Sequence, residues 1–521
     1  MAPSAVVIGL GSVTGLQTAR FLARRGVRVI GIAGDRRHFA ARTRECERII
    51  EADVHGTEFI DALERLAPDL DQGAVLFPCT DQSVLLVSEH RERLTPSYSV
   101  VMPPHETVQG LADKATFHDH AVRSGLTVPQ TFVLRGVQDA RRAAAGLTFP
   151  AVVKPSFKCT RWKKNTRVKV RMVDSADELL SAYDDLAPWT DVLVAQEFVA
   201  GDDSELFTCN CYFDESGEPL VTFVTRKLRQ WPPHVGTASL GEEVRNDEVV
   251  AHTKRLFRAA RFRGLGYLEF KRHPDTGALV VIEANVGRPT GRSATAEAGD
   301  VELLYTMYCD ASGLPLPAWR EQRYVATKWI DVRRDLISAI YYHRRGELSL
   351  REWVASVRGP KAHAVFSWSD PRPFAYEIRQ SLGKYVRRSA GVARRRTSTH
   401  HVARTGTSSA PSTAIAVMVA ISPKTRTIRK IRDSITNSGR LRLAAVITKA
   451  KIGPRATPAS RNAHPNGTRD SVGRYSGTPN TAAAAIAEGS PGPASSVIRC
   501  SGTAPAITTP TAQVRTSGTN S

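Results

Sequence analysis

The sequence predicts an α/β (α+β) chain: a small parallel βαβ domain, a strand-dominated body, and a low-complexity tail. Three observations carry that prediction. Residues 4–33 read as strand, glycine turn, helix and strand (AVVIGLG, SVTGLQTARFLARRG, VRVIGIA), the opening of a βαβ unit. Residues 264–288 read as a β-hairpin around His-Pro-Asp-Thr-Gly, which has strong turn chemistry. Near residue 390 the text turns to Ser, Thr, Ala, Pro, Gly and Arg and stays so to the end. A chain of 521 residues has material for two to four domains and a large core.

Taken in order, Ala74–Pro78 is a second short apolar strand followed by helical VLLVSEHRERL, and Val100–Met102 adds another, so residues 1–110 form one domain. Asp113–Gly125 is an amphipathic helix stopped by Gly125 and Pro129. A strand (TFVL), a helix (QDARRAAAG) and a strand ending at Lys154-Pro155 follow. Strands dominate from Leu193 to Asn285, with one helix over Val249–Arg263. Cys209 and Cys211 mark one face of a buried strand. Residues 296–312 form a helix capped by Gly313, and residues 319–389 a helical extension.

The formal net charge of +21 sits mainly in the tail. From Gly391 onward there are 19 Lys/Arg against 3 Asp/Glu, leaving 53 against 48 upstream, so the body argues against nucleic-acid binding. Tyr475 is the only aromatic residue after 390, and no apolar face persists, so residues 390–521 are expected to be disordered. A nucleic-acid-binding tail is the functional alternative. Seven scattered cysteines without a CxxC pair point to a reduced protein without structural zinc. Met1-Ala2-Pro3-Ser4 runs straight into a strand and no apolar run reaches about 18 residues, so a cytoplasmic chain without signal peptide or membrane span is expected.

The hairpin carries the most chemistry. With the turn near Thr276, Glu269 faces Glu283; Asn285 shares their face, and Leu268, Phe270, Ile282 and Ala284 share the other. Like charges placed opposite each other destabilise a sheet. Two readings follow: a hard cation such as Mg²⁺ between the carboxylates, or two solvated glutamates on an exposed hairpin. Gly9-x-Gly11-x-x-x-Gly15, with Asp35 downstream, allows a dinucleotide fingerprint and hence an NAD(P)-dependent oxidoreductase, on a weak signal.

Glu283-Ala284-Asn285, then Arg288, with Glu269 upstream, resembles the metal-binding end of the ATP-grasp superfamily, in its carboxylate-amine ligase and carbamoyl-phosphate-synthase-like members. The resemblance spans about residues 110–315. It implies a Rossmann-like pre-ATP-grasp domain over 1–110 and a two-subdomain ATP-grasp fold over 111–318. It implies Mg²⁺, with Mn²⁺ as the alternative ion, on Glu269, Glu283 and Asn285. Arg288, or Arg292 in its place, would face the reacting phosphate. Lys114 and Lys154 would reach the phosphates of ATP, Glu197 and Val199 would form the adenine hinge, and Glu205 would hold the ribose. Lys227, which can share a strand face with Arg229, would face the substrate carboxylate. The family's glycine-rich phosphate flap is missing: Lys158–Asn165 reads KCTRWKKN. The implied activity is ADP-forming ligation of a small-molecule carboxylate to an amine, with a homodimer as a candidate assembly.

Overall fold

The computed structural model describes residues 2–166, 168–291, 293–381 and 383. The tail expected over 390–521 and Arg292 lie outside the described residues.

Three sheets organise the chain. The first holds β1 (Ser4–Ile8), β2 (Val29–Ala33), β3 (Arg48–Glu51), β4 (Ala74–Pro78) and β5 (Tyr98–Ser99), all parallel, in the order β3-β2-β1-β4-β5. β1, β2 and β4 are fully buried, which is why they read as unbroken apolar runs. The glycine turn after β1 has a packing reason. A Cβ on Gly15 would lie 2.5 Å from the Gly9 carbonyl oxygen, and Ser12 Oγ caps the helix Val13–Arg24 by accepting from Gly15 N–H at 3.0 Å.

The second sheet is antiparallel: β6 (Thr131–Leu134), β7 (Ala151–Pro155), β8 (Arg171–Val173) and β9 (Leu193–Glu197), in the order β6-β9-β7-β8. It has its own core of Leu134, Val153, Trp162, Leu179 and their neighbours.

The third sheet has seven strands: β10 (Leu206–Phe213), β11 (Pro219–Trp231), β12 (Thr237–Glu243), β13 (Gly264–Arg272), β14 (Leu279–Val286), β15 (Lys328–Ile330) and β16 (Lys361–His363), in the order β14-β13-β10-β11-β12-β15-β16. Its face shares a core with the first sheet: Ile8, Leu76 and Val84 pack in one cluster with Cys209, Cys211, Phe257 and Leu268. The first domain is therefore welded to the third sheet.

Three expectations change on contact with the structure. Residues 296–312 are not one helix: Ser293–Ala298 and Leu303–Ala311 are separate, with Asp300 at φ 61° between them. The stretch after 319 is not purely helical, since β15 pairs with β12 and β16 with β15, extending the third sheet. In the hairpin, Glu269 faces Glu283, but a bulge then shifts the ladder so that Phe270 faces Val281. Ile282 therefore leaves the apolar face and lines the cleft described below.

The extension is pinned to the body by two buried ion pairs. Arg20 Nε lies 3.1 Å from Asp370 Oδ2, and Arg229 Nε lies 2.8 Å from Asp335 Oδ1. Among the described residues no helix is long and apolar enough to cross a membrane.

Candidate active site

A cavity of about 490 Å³ lies where the three sheets meet. β13 contributes Tyr267, Glu269 and Lys271 to its lining, every second residue of one strand face. β14 adds Glu283 and Asn285, β7 adds Lys154, β11 adds Lys227, and the end of β9 adds Glu197, Phe198 and Val199. Lys114 enters from the start of the helix Lys114–Arg123.

Neither of the two facing carboxylates is fully solvated: Glu269 is buried and Glu283 half-buried. Glu269 is 7% exposed, and Lys227 Nζ lies 3.0 Å from its Oε1. Asn285 Nδ2 donates to Glu283 Oε1 at 3.3 Å. Burial by itself would push the Glu283 carboxyl up, but Lys169, Lys114, Lys154 and Lys227 outweigh it and hold it at about 2. Glu283 is thus a carboxylate throughout the neutral range, in surroundings rich in positive charge. Two carboxylates and an amide oxygen on one face of the paired strands β13 and β14 are hard oxygen donors, which fits a divalent cation such as Mg²⁺. Among the described residues no group of three or more His, Cys, Asp or Glu could hold a metal ion, so these donors would leave part of a Mg²⁺ shell to other oxygens, water among them.

The positive side of the cavity is larger. Seven lysines line it with Arg288, against Asp81, Glu197, Glu269 and Glu283. Lys154 is 8% exposed and donates to Gln196 Oε1 at 2.8 Å. Burial, reinforced by the Lys114 ammonium, pushes Lys154 down to about 8. Lys114 is set by its own helix start: Asp113 caps the helix, Ser156 Oγ donates to Asp113 Oδ2 at 2.6 Å, and the Lys114 ammonium donates to Ser156 O at 3.4 Å. Arg288 is anchored between Asp81 Oδ1 at 2.6 Å and Asn285 Oδ1.

One predicted site residue, Glu205, is not in the lining, and one expected face pairing changes. Glu205 ends the turn Asp203–Glu205 and is not among the cavity-lining residues; that turn is held by Asp203, which accepts from Gln230 Nε2 at 2.6 Å and from Tyr342 Oη. Lys227 and Arg229 do not share a face. A bulge between them turns Arg229 onto Asp335, and Gln230 joins Lys227 at the cavity. Asp81, Lys169 and Lys271 were missed. Lys271 was findable, two residues beyond Glu269 on the same strand face. Asp81 follows the carboxyl end of β4, where ligands of parallel sheets gather. Lys169 has no periodic signal.

No protein-family model matches the chain. A curated D-aspartate ligase from Enterococcus faecium (strain Aus0004) is 23% identical over 254 residues, covering 45% of this chain and 59% of that protein. The resemblance is to the ATP-grasp carboxylate-amine ligases. The chain spans about 59% of the length of this relative. Among solved structures, N5-carboxyaminoimidazole synthetase from Staphylococcus aureus aligns at a TM-score of 0.49 and 16% identity, over 61% of this chain and 79% of that one. Biotin carboxylase from Campylobacter jejuni, in a complex with ATP, aligns at 0.48 and 13% identity, over 61% and 72%.

Proposed function

We propose that the chain is an ATP- and Mg²⁺-dependent ligase that joins a carboxylate to an amine through an acyl phosphate. The observation that carries this reading is the cavity that sets Glu269, Glu283 and Asn285 opposite Lys114 and Lys154. The likeness to a protein named D-aspartate ligase supports it and makes D-aspartate the first compound to screen as substrate.

Glu197, Phe198 and Val199 form the wall suited to adenine, with the Phe198 N–H committed to Pro150 O at 3.0 Å. Lys114 and Lys154 bind the phosphates by charge-assisted hydrogen bonds. Mg²⁺ on Glu269, Glu283 and Asn285 would neutralise phosphate charge. Arg288, fixed by Asp81 and Asn285, stabilises the charge on the phosphoryl group as a substrate carboxylate attacks the γ-phosphorus. ADP leaves, the amine displaces phosphate from the acyl phosphate, and no protein nucleophile takes part.

A carboxylate oxygen must then end in inorganic phosphate. With the acid labelled with ¹⁸O, mass analysis of released phosphate is expected to find one labelled oxygen per turnover. Unlabelled phosphate, or AMP and pyrophosphate as products, would reject this chemistry.

Lys154 yields a pH prediction. In the empty cavity its ammonium loses a proton near pH 8, well below the ordinary lysine value, and a bound polyanion favours the charged form. Nucleotide binding at pH 8.5–9 is therefore expected to take up protons and to weaken as pH rises. Calorimetry in buffers of different ionisation heat measures the uptake, which Lys154→Met should remove; identical heats in all buffers for the unmodified protein would refute the assignment.

A further inference from the structure

The loop between β16 and the helical residues 372–381 displays one indole to solvent. Trp368 is 88% exposed, more than any other large apolar side chain among the described residues. It stands on an aromatic base: its ring meets Phe366 at 4.8 Å between centroids, and Phe366 meets Phe374 at 5.2 Å. The loop is held down on both sides of the indole. Ser367 Oγ accepts from Arg24 Nη2 at 3.2 Å. Asp370 is fully buried and accepts from Arg20 Nε at 3.1 Å, Thr43 Oγ1 at 2.6 Å and the Arg44 N–H at 3.3 Å. An apolar ring is thus presented in water on a fixed base.

The same anchors bring arginines to this surface. Arg24, Arg42, Arg44 and Arg372 are exposed, and among the described residues none of them forms an ion pair. Arg42 Cζ lies 4.8 Å from the centroid of the Tyr376 ring, one helical turn beyond Arg372. Within residues 42–45 and 366–380, Asp370 is buried on Arg20 and Glu377 lies 3.3 Å from Arg333, which leaves Glu45 as the opposing acid. We infer that this face docks on an anionic lipid surface, with the Trp368 indole in the headgroup layer and the guanidinium groups on lipid phosphates. Indoles settle at that depth, and each basic residue near an anionic leaflet adds to the attraction. Guanidinium forks match phosphate oxygens. The contact is peripheral and needs no spanning helix. Single-stranded nucleic acid also takes arginines and stacking rings, but its binders track the strand along a groove lined with successive rings. Here one ring stands clear of the surface, which suits a planar interface.

The test mixes the full chain with vesicles of phosphatidylcholine alone, or of phosphatidylcholine with about one-third phosphatidylglycerol, with and without brominated acyl chains. All seven tryptophans lie before residue 390, so bromine quenching of their fluorescence reports on the body and not on the basic residues that follow. The anionic vesicles are expected to bind the chain more tightly than the neutral ones and to quench it. Trp368→Phe, which keeps an aromatic ring, should still bind but lose the quenching. Trp368→Ser should weaken binding about tenfold. Arg42→Gln with Arg372→Gln should weaken it about thirtyfold. Melting temperatures should not move, since all three side chains are exposed. Vesicle binding indifferent to the serine and glutamine variants would belong to the residues after 390 and overturns the docking face. Quenching that persists in Trp368→Phe, or is missing from the unmodified chain, overturns it as well. So does Trp368 fluorescence that answers to a single-stranded oligonucleotide and not to vesicles.

Discussion

Glu283→Gln is expected to abolish Mg-ATP turnover while leaving the chain folded. The half-buried carboxylate sits at the focus of four lysines that hold it ionised. Glutamine keeps the volume and an oxygen that can still accept from Asn285 Nδ2. It removes the charge that, on the reading above, offsets the positive side of the cavity and helps hold Mg²⁺. Several kcal/mol of charge stabilisation then disappear from the transition state, so kcat should fall by roughly 10²-fold or more. Phosphate release measures the loss, and far-UV circular dichroism checks the fold. Near-normal turnover in a folded Glu283→Gln protein would remove Glu283 from the site.

The reason this pair was legible in the sequence is local. A strong turn at residues 273–277 and a side-chain period of two fix which residues face each other, and no distant contact is needed. The same holds for the first sheet, where β1 and β4 are short apolar runs and the Gly9–Gly15 turn opens a helix. What stayed hidden is tertiary. A bulge changes the face of every residue beyond it, and neither Ile282 nor Leu228 announces one. The split of residues 296–312 follows from the positive φ of Asp300, in a stretch whose apolar content reads as continuous helix. β15 and β16 are three residues each; β15 exists because the edge of β12 is there to pair with, and β16 because β15 then offers its own edge. Glu205 was placed by resemblance alone and ends a turn organised around Asp203, while the period of two put Arg229 on the face of Lys227 and a bulge instead gives it to a buried ion pair.

That ion pair leads to the second large effect, on stability. Arg229 and Asp335 are 5% and 1% exposed. Arg229 Nε and Nη2 donate to the two carboxylate oxygens at 2.8 and 3.0 Å, and Nη1 donates to Ser356 Oγ at 2.8 Å. Asp335 also accepts from Trp353 Nε1 at 3.0 Å and from Ser239 Oγ at 3.3 Å. One pair therefore ties β11 and β12 to the helices Val332–Arg344 and Leu350–Ser356. Arg229→Met leaves the carboxylate buried with neutral donors only, and a broken buried pair typically costs about 3–5 kcal/mol. The variant is expected to melt several degrees lower, with the KM for ATP and for any acid substrate little changed. Replacing both members, as Arg229→Met with Asp335→Leu, removes the uncompensated charge and should recover part of the loss. Thermal melts of the single and double variants decide the matter. A single variant that keeps its melting temperature but loses substrate affinity would put Arg229 in the cavity; a double variant no better than the single would mean that the pair is not the source of the stability.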